Sequence, residues 1–160
     1  QGKITVTDFL LGQYYLYEDA LNSQEWNIES DSMKVVLGHE CQKATCSFRG
    51  RKWTAWFALD VPVSDGPLKF CGLPGLIMEV YDRGKQYYFC INGMQQVSAT
   101  PITFGILDKD FKHFQKTDRK DFLLSKYRYL RNQNSINEAS TGISLGSVDE
   151  ALKYDLIEKE

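Results

Sequence analysis

Val61 to Asp82 reads VPVSDGPLKFCGLPGLIMEVYD. It joins rigid turn chemistry to a dense run of large apolar side chains. Ser64-Asp65-Gly66-Pro67 is a turn by composition. In Leu73-Pro74-Gly75 the proline fixes φ and the glycine is expected in the left-handed region, the pattern of a type II turn. Gly72, Leu73, Pro74, Gly75, Leu76 and Ile77 therefore read as a corner, a rigid turn that feeds a core strand over Leu76–Tyr81. The stretch connects a strand over Trp53–Val63 to a meander that begins at Leu76.

On its N-terminal side, Arg49-Gly50 reads as a hairpin turn, with glycine supplying a positive φ. The strand that follows places Trp53, Ala55, Phe57 and Leu59 on one face and Thr54, Trp56 and Ala58 on the other. Apolar residues on both faces imply a central strand, or one face lining a cavity. Earlier strands are expected over Lys3–Asp8, Gln13–Glu18 and Trp26–Glu29, the last ended by a turn at Ser30-Asp31-Ser32. Lys34–Leu37 then runs into GHECQKATCSF.

On the C-terminal side, Asp82-Arg83-Gly84-Lys85 is a hairpin turn and Gln86–Ile91 a returning strand. Asn92-Gly93 is a further hairpin signal, and Met94–Phe104 is expected to complete a three-stranded antiparallel meander. From Asp108 the apolar period becomes helical, which predicts helices near Asp108–Thr117 and Arg119–Arg131. This segment carries Lys or Arg at 109, 112, 116, 119, 120, 126, 128 and 131 against Asp at 108, 110, 118 and 121. It reads as a solvated face, with docking of an acidic partner as the alternative. Asn132–Gly146 is polar and reads as a loop. Ser147 and Glu150 fit a capping box before a short helix over Val148–Ile157.

The chain has 160 residues, 42% hydrophobic and 25% charged, the profile of one globular domain. Its net charge of -2 gives no reason to expect nucleic acid. No apolar run is long enough to span a bilayer. Together these features predict a mainly β fold with C-terminal helices. We expect a curved antiparallel sheet, an open barrel or half-barrel of about seven to nine strands, with one to three helices packed against it.

Chemistry is sparse. His39, Cys41 and Cys46, with His113 distant, lack the spacing of a zinc knuckle. A Cys41 nucleophile with His39 as base would share one strand face, but Glu40 adjoins it and a reactive thiol needs an electropositive setting. Asp60, Asp65, Glu79 and Asp82 lie near turns and show no acid/base pairing. Gly72 and Gly75 match no phosphate-binding loop. No catalytic residue, metal site or cofactor is expected. Cys41, Cys46, Cys71 and Cys90 are compatible with two disulfides or with buried thiols. In a continuous strand Cys41 and Cys46 face opposite ways, so any bridge would run to Cys71 or Cys90. The remaining candidates are aromatic: Trp53, Trp56, Phe57, Tyr81, Tyr87 and Tyr88, with Phe89 beside them. They are read either as core packing or as a face that curves around an apolar ligand or a partner segment.

GLPGLI at Gly72–Ile77 resembles the hexapeptide after which a bacterial family is named. Further pieces resemble that family: Trp26 in EWNI, Gly38 and Cys41–Ala44 in GHECQKA, FRGRKWTAW at Phe48–Trp56, DVPVSDGPLKF at Asp60–Phe70, and the ending YDLIEKE. The resemblance covers about residues 14 to 115. Only Cys41 of the cysteines belongs to the pattern. Members are typically longer and carry a signal peptide, so the sequence is expected to be a processed or truncated form, or to lack segments near its start. The resemblance implies export to the periplasm or cell surface of a Gram-negative bacterium, and it implies no activity.

The function these readings favour is a secreted, non-catalytic binding protein that holds an apolar ligand or partner segment on a curved sheet. An accessory module of a cell-envelope complex is the alternative, and an extracytoplasmic hydrolase or thiol enzyme a third.

Overall fold

Three X-Gly pairs turn the chain back on itself: Leu11-Gly12 (φ 51° and 78°), Leu37-Gly38 (50° and 82°) and Arg49-Gly50 (50° and 73°). Positive φ at both positions matches the right-handed twist of a hairpin. Arg49-Gly50 is the expected turn. Leu37-Gly38 was expected only as part of a run into the next strand, because leucine is not a usual residue at positive φ. In a computed structural model, residues 2–21, 23–100, 113–143 and 156–159 are described. They form β1 (Lys3–Leu10), β2 (Gln13–Ala20), β3 (Asn27–Val36), β4 (His39–Phe48), β5 (Arg51–Ala58), β6 (Leu76–Asp82), β7 (Tyr88–Cys90), β8 (Gln115–Lys116) and α1 (Arg119–Thr141).

The fold is mainly β with a C-terminal helix, and the strands divide into two sheets, neither closed into a barrel. The orders are β1-β2-β8 and β3-β4-β5-β6-β7. The chain separates into two compact units, Gln1–Ile4 with Asp19–His113 and Thr5–Glu18 with Phe114–Glu160.

In the second unit β2 pairs with β8 in parallel. Asp118 caps α1 by accepting from the Asp121 N–H at 3.0 Å, and Gly142 ends it at φ 70°. Phe122 is buried with Leu10 and Tyr17, its ring 5.4 Å from Tyr15 and 5.7 Å from Tyr17. Lys126 pairs with Asp8 at 2.6 Å. The helix begins as expected but continues through Asn132–Thr141, which composition marked as loop. Once packing of Phe122 holds the first turns, adding Asn and Ser costs little, because nucleation is the expensive step. Of the expected helix over 108–117, residues 108–112 lie outside the described ones and 115–116 form β8. Of the expected terminal helix, 148–155 likewise lie outside them.

The first unit holds the five-stranded sheet, antiparallel throughout. The turn expected at 30–32 is instead a register shift within β3, between Glu29 and Met33. A bulge keeps the strand running where turn-forming residues would otherwise end it. The strand expected from Met94 is not formed over the described residues 94–100, and 101–104 lie outside them. Ile91 still donates to the Met78 carbonyl at 2.9 Å, and residues 92–100 after it are exposed coil. An Asn-Gly pair makes a hairpin only if the returning strand has an apolar face to bury, and Met94 and Val97 are exposed.

One face of this sheet is packed. Ala44, Ala55 and Val80 form a fully buried row across β4, β5 and β6. The connector 59–75 lies over that face: the Phe70 ring sits 4.6 Å from Trp53, 6.0 Å from Phe48 and 6.3 Å from Trp26. Trp26 Nε1 donates to the Cys71 carbonyl and Gln24 Nε2 to that of Lys69, both at 2.8 Å. Asp19, itself buried, pairs with Lys69 at 2.9 Å and with Arg49 at 2.5 Å.

The GLPGLI corner works differently from its expected type II turn. Gly75 is not at positive φ; the left-handed glycine is Gly72, at 91°. Gly75 is required by proximity, since a Cβ there would lie 2.0 Å from the Ala58 carbonyl oxygen. The absent side chain lets the corner press against the end of β5, and Leu73 is buried beneath it.

Candidate functional site

Because side chains alternate, the strands that build the packed face also build a second, open face. Two complete rows cross it. One runs Asn27, Thr45, Thr54, Tyr81, Tyr88, one residue from each strand in order. The next runs Glu29, Lys43, Trp56, Glu79, Cys90 in the same order.

The second row is charged. Lys43 pairs with Glu29 at 2.8 Å, and Lys34 pairs with Glu79, whose side chain is buried. The Lys34 ammonium also lies 5.4 Å from the Trp56 ring centroid, a cation–π position. The Trp56 indole N–H is buried without an acceptor among the described residues. Beyond this row the face ends in a small apolar cluster of Val36, Cys41, Ala58 and Met78, with Trp56, Val61, Leu76 and Ile91 against it.

The first row borders a concavity of about 600 Å³, lined by Glu25, Asn27, Thr45, Ser47, Lys52, Thr54, Tyr81 and Arg83 together with Cys46 and Trp53 of the packed side. Tyr81 stacks on Tyr88 with centroids 5.9 Å apart and planes at 24°. Lys85 stands over Tyr81 at 5.1 Å. Tyr88 is 50% exposed, yet its hydroxyl is partly desolvated. Burial of that group, with Cys90 and Glu79 beside it, pushes the phenol up to about 12. The Arg83 N–H donates to the Lys52 carbonyl at 2.9 Å, so the two cations leave adjacent points of the backbone.

Of the six aromatic candidates, the fold brings three together here: Trp56, Tyr81 and Tyr88. Trp53 and Phe57 are buried in the packed face, where Trp53 Nε1 donates to the Phe48 carbonyl at 3.1 Å. Tyr87 lies in the β6–β7 loop with the Arg51 guanidinium 4.7 Å from its ring centroid. Arg51 pairs with Asp82 at 2.8 Å, both buried, and Asp82 also accepts from the Tyr87 N–H at 3.0 Å. A second, apolar groove of about 370 Å³ runs between Asp65–Pro67 and Leu76–Met78, floored by Phe89–Ile91. The motif's strand forms one wall of it.

The four cysteines are free thiols, so no disulfide joins Cys41, Cys46, Cys71 or Cys90. Cys41 and Cys46 do face opposite sides, and each is better satisfied as a small buried hydrophobe than in a bridge. Burial raises both thiols, Cys46 to about 12. His39 Nδ1 lies 2.7 Å from Asp60 Oδ2 at the end of the sheet. The Cys41 thiol donates to the His39 carbonyl at 3.6 Å rather than to the ring. A shared metal or a Cys–His dyad has no geometry there.

The polar residues of the concavity were not singled out from the sequence. The available signal was their spacing: Thr45 and Ser47, and Lys52 and Thr54, occupy the outward positions that alternate with buried ones.

Residues 49–79 match the model of a family described as "Protein of unknown function (Porph_ging)". That span runs from the Arg49-Gly50 turn through the corner to Glu79. No curated protein matches the chain. Among solved structures, "Structure of PNGF-II in P21 space group" and "Structure of PNGF-II in C2 space group" are similar at 17% identity and a TM-score of 0.49. Each likeness covers 77% of this chain and 22% of the other, so the chain spans about a fifth of their length. Among the described residues no helix is long and apolar enough to cross a membrane.

Proposed function

We propose that this is a non-catalytic binding protein of the periplasm or cell surface, of the GLPGLI family, that holds a ligand or partner segment on the open face of its five-stranded sheet. The observation that carries the reading is the placement of Trp56, Tyr81 and Tyr88. The sheet puts all three on the face opposite the one that Phe70 and the connector pack, in consecutive rows. Aromatic rings in such a position offer large contact area at little entropic cost. The location rests on the resemblance of the motif and its flanks. Against a thiol enzyme stand the raised thiols of Cys41 and Cys46, which stay protonated and are poor nucleophiles.

The accessory-module reading has its own support. Among the described residues β3 pairs only with β4, and its Met33 and Val35 are exposed along that free edge. An unpaired strand of this kind can accept a strand from a partner.

Native mass spectrometry of protein purified from its source tests the main reading. The expected result is a bound species that a Trp56→Ala/Tyr81→Ala/Tyr88→Ala variant, folded by circular dichroism, no longer retains. A bare wild-type monomer, or a variant that retains the species, overturns it.

A further inference from the structure

The open end of the face specifies more than contact area. Its row offers one amide (Asn27) and two hydroxyls (Thr45, Thr54), with the Ser47 hydroxyl one row further on, beside Tyr81, which lines the concavity and stacks on Tyr88. Hydroxyls and an amide both donate and accept, so this row suits a ligand that also does both, many times over a short distance. A tyrosine face suits a patch of C–H rather than another charge. Alternating C–H faces and hydroxyls are the chemistry of a saccharide ring.

Charge narrows the class. Lys52 and Arg83 are exposed on the same wall, and neither side chain has an ion-pair partner among the described residues. Two cations that leave adjacent points of the backbone and line one concavity without counter-charges favour an anionic group, most strongly a carboxylate that Arg can grip in two places. Glu25 on the rim acts in the opposite sense. It accepts from hydroxyls and repels a phosphate dianion more than a monoanionic carboxylate. The volume of about 600 Å³ lies within the roughly 300–1,000 Å³ of small-molecule sites.

We infer that this concavity binds an acidic saccharide, a sugar unit or short chain carrying carboxylate groups. Tyr81 lies against its C–H face, Thr45, Thr54 and Asn27 meet its hydroxyls, and Lys52 and Arg83 hold its carboxylate. This rests on the open face being the binding surface, and names the class of ligand there.

Chemical-shift mapping of the full chain tests it, with oligogalacturonate, the matching neutral oligogalactose, adenosine monophosphate and inorganic sulfate as probes. Oligogalacturonate is expected to move the amides of Thr45, Thr54, Tyr81 and Arg83 saturably. Lys52→Ala/Arg83→Ala should weaken it by about tenfold or more and flatten its salt dependence. Thr45→Val/Thr54→Val, which keeps shape and charge, should weaken it about tenfold with the salt dependence intact. Equal affinity for the neutral oligomer removes the role of the cations. Equal affinity for sulfate leaves an anion site without a sugar, and a preference for the nucleotide replaces the class. Any of these overturns the inference. If no probe binds while protein from its source retains a species lost on Trp56→Ala/Tyr81→Ala/Tyr88→Ala, the ligand class is wrong and the binding face stands. If neither is seen, both fall.

Discussion

The five-stranded sheet presents two faces built from the same strands, and they hold their aromatic residues for different reasons. On one, Trp53 and Phe57 are closed in by the connector and by Phe70, and their rings are structural. On the other, Trp56, Tyr81 and Tyr88 sit among threonines, an amide and charged pairs, with one ring half exposed. A single step along β5, from Trp53 to Thr54 or from Trp56 to Phe57, crosses from one regime to the other. Aromatic content therefore identifies a site only after the covered face is known.

This difference can be broken by experiment. Phe70→Ala should cost about 3–5 kcal/mol in urea unfolding, because it opens a cavity against Trp53, Phe48 and Trp26. Tyr88→Ala on the open face should cost within about 1 kcal/mol. Similar losses for both would mean that the open face is also core. Ion pairs should divide in the same way. Asp82→Ala removes the buried carboxylate that pairs with the buried Arg51 and should cost about 3–5 kcal/mol. Glu29→Ala removes a partner of Lys43 from a pair about one third exposed on either side, and should cost less than about 1 kcal/mol.

A smaller effect sharpens how the cover is held. Gly75→Ala should cost about 1–3 kcal/mol, since its Cβ has no room beside Ala58, whereas Pro74→Ala next to it, an exposed residue, should be nearly neutral. Equal effects would mean that the corner is held by the proline and not by close approach.

Acid should loosen the same cover. Burial raises the Asp19 carboxyl, but the hydrogen bond and charge of Lys69, the Ala20 N–H and Arg49 outweigh it and hold the group below its ordinary 3.8. The folded value is thus the lower one. Its stabilisation is present above pH 3.8 and is lost as pH falls through the folded value. Thermal melts from pH 6 down to pH 2.5 should show a steeper acid decline in the wild type than in Asp19→Asn. Identical slopes would remove Asp19 from the tether. The mildest probe is alkylation at pH 8, where the exposed Cys90 should react well before buried Cys41, Cys46 and Cys71. Labelling of Cys46 at the rate of Cys90 would show that the packed face is not closed.

Much of the fold could be read directly. The alternation at Trp53–Ala58, the Arg49-Gly50 and Asp82–Lys85 turns, and the strand that starts at Leu76 follow from local period and turn chemistry, whereas the corner before that strand is not the type II turn its Pro-Gly pair suggested. The mistakes share a cause. Ser30-Asp31-Ser32 and Asn92-Gly93 are strong local turn signals, and pairing outcompeted one while lack of a partner emptied the other. Asn132–Thr141 has loop composition but extends a helix that was nucleated by Phe122. The candidate site was half legible: its aromatics were named, and its polar row was not, since Thr and Ser at alternate positions look like any solvated strand edge.

The sequence by itself determined a mainly β chain with a C-terminal helix, the strand faces and the corner at Gly72–Ile77, because backbone geometry and side-chain period are local properties. Only the tertiary structure decided which face the connector covers, that Gly75 is needed for its closeness to Ala58, that the thiols remain free, and that Asn27, Thr45, Thr54, Tyr81 and Tyr88 stand in one line. These depend on register between strands and on which surfaces meet, and residues distant in sequence become neighbours only when that pairing is made.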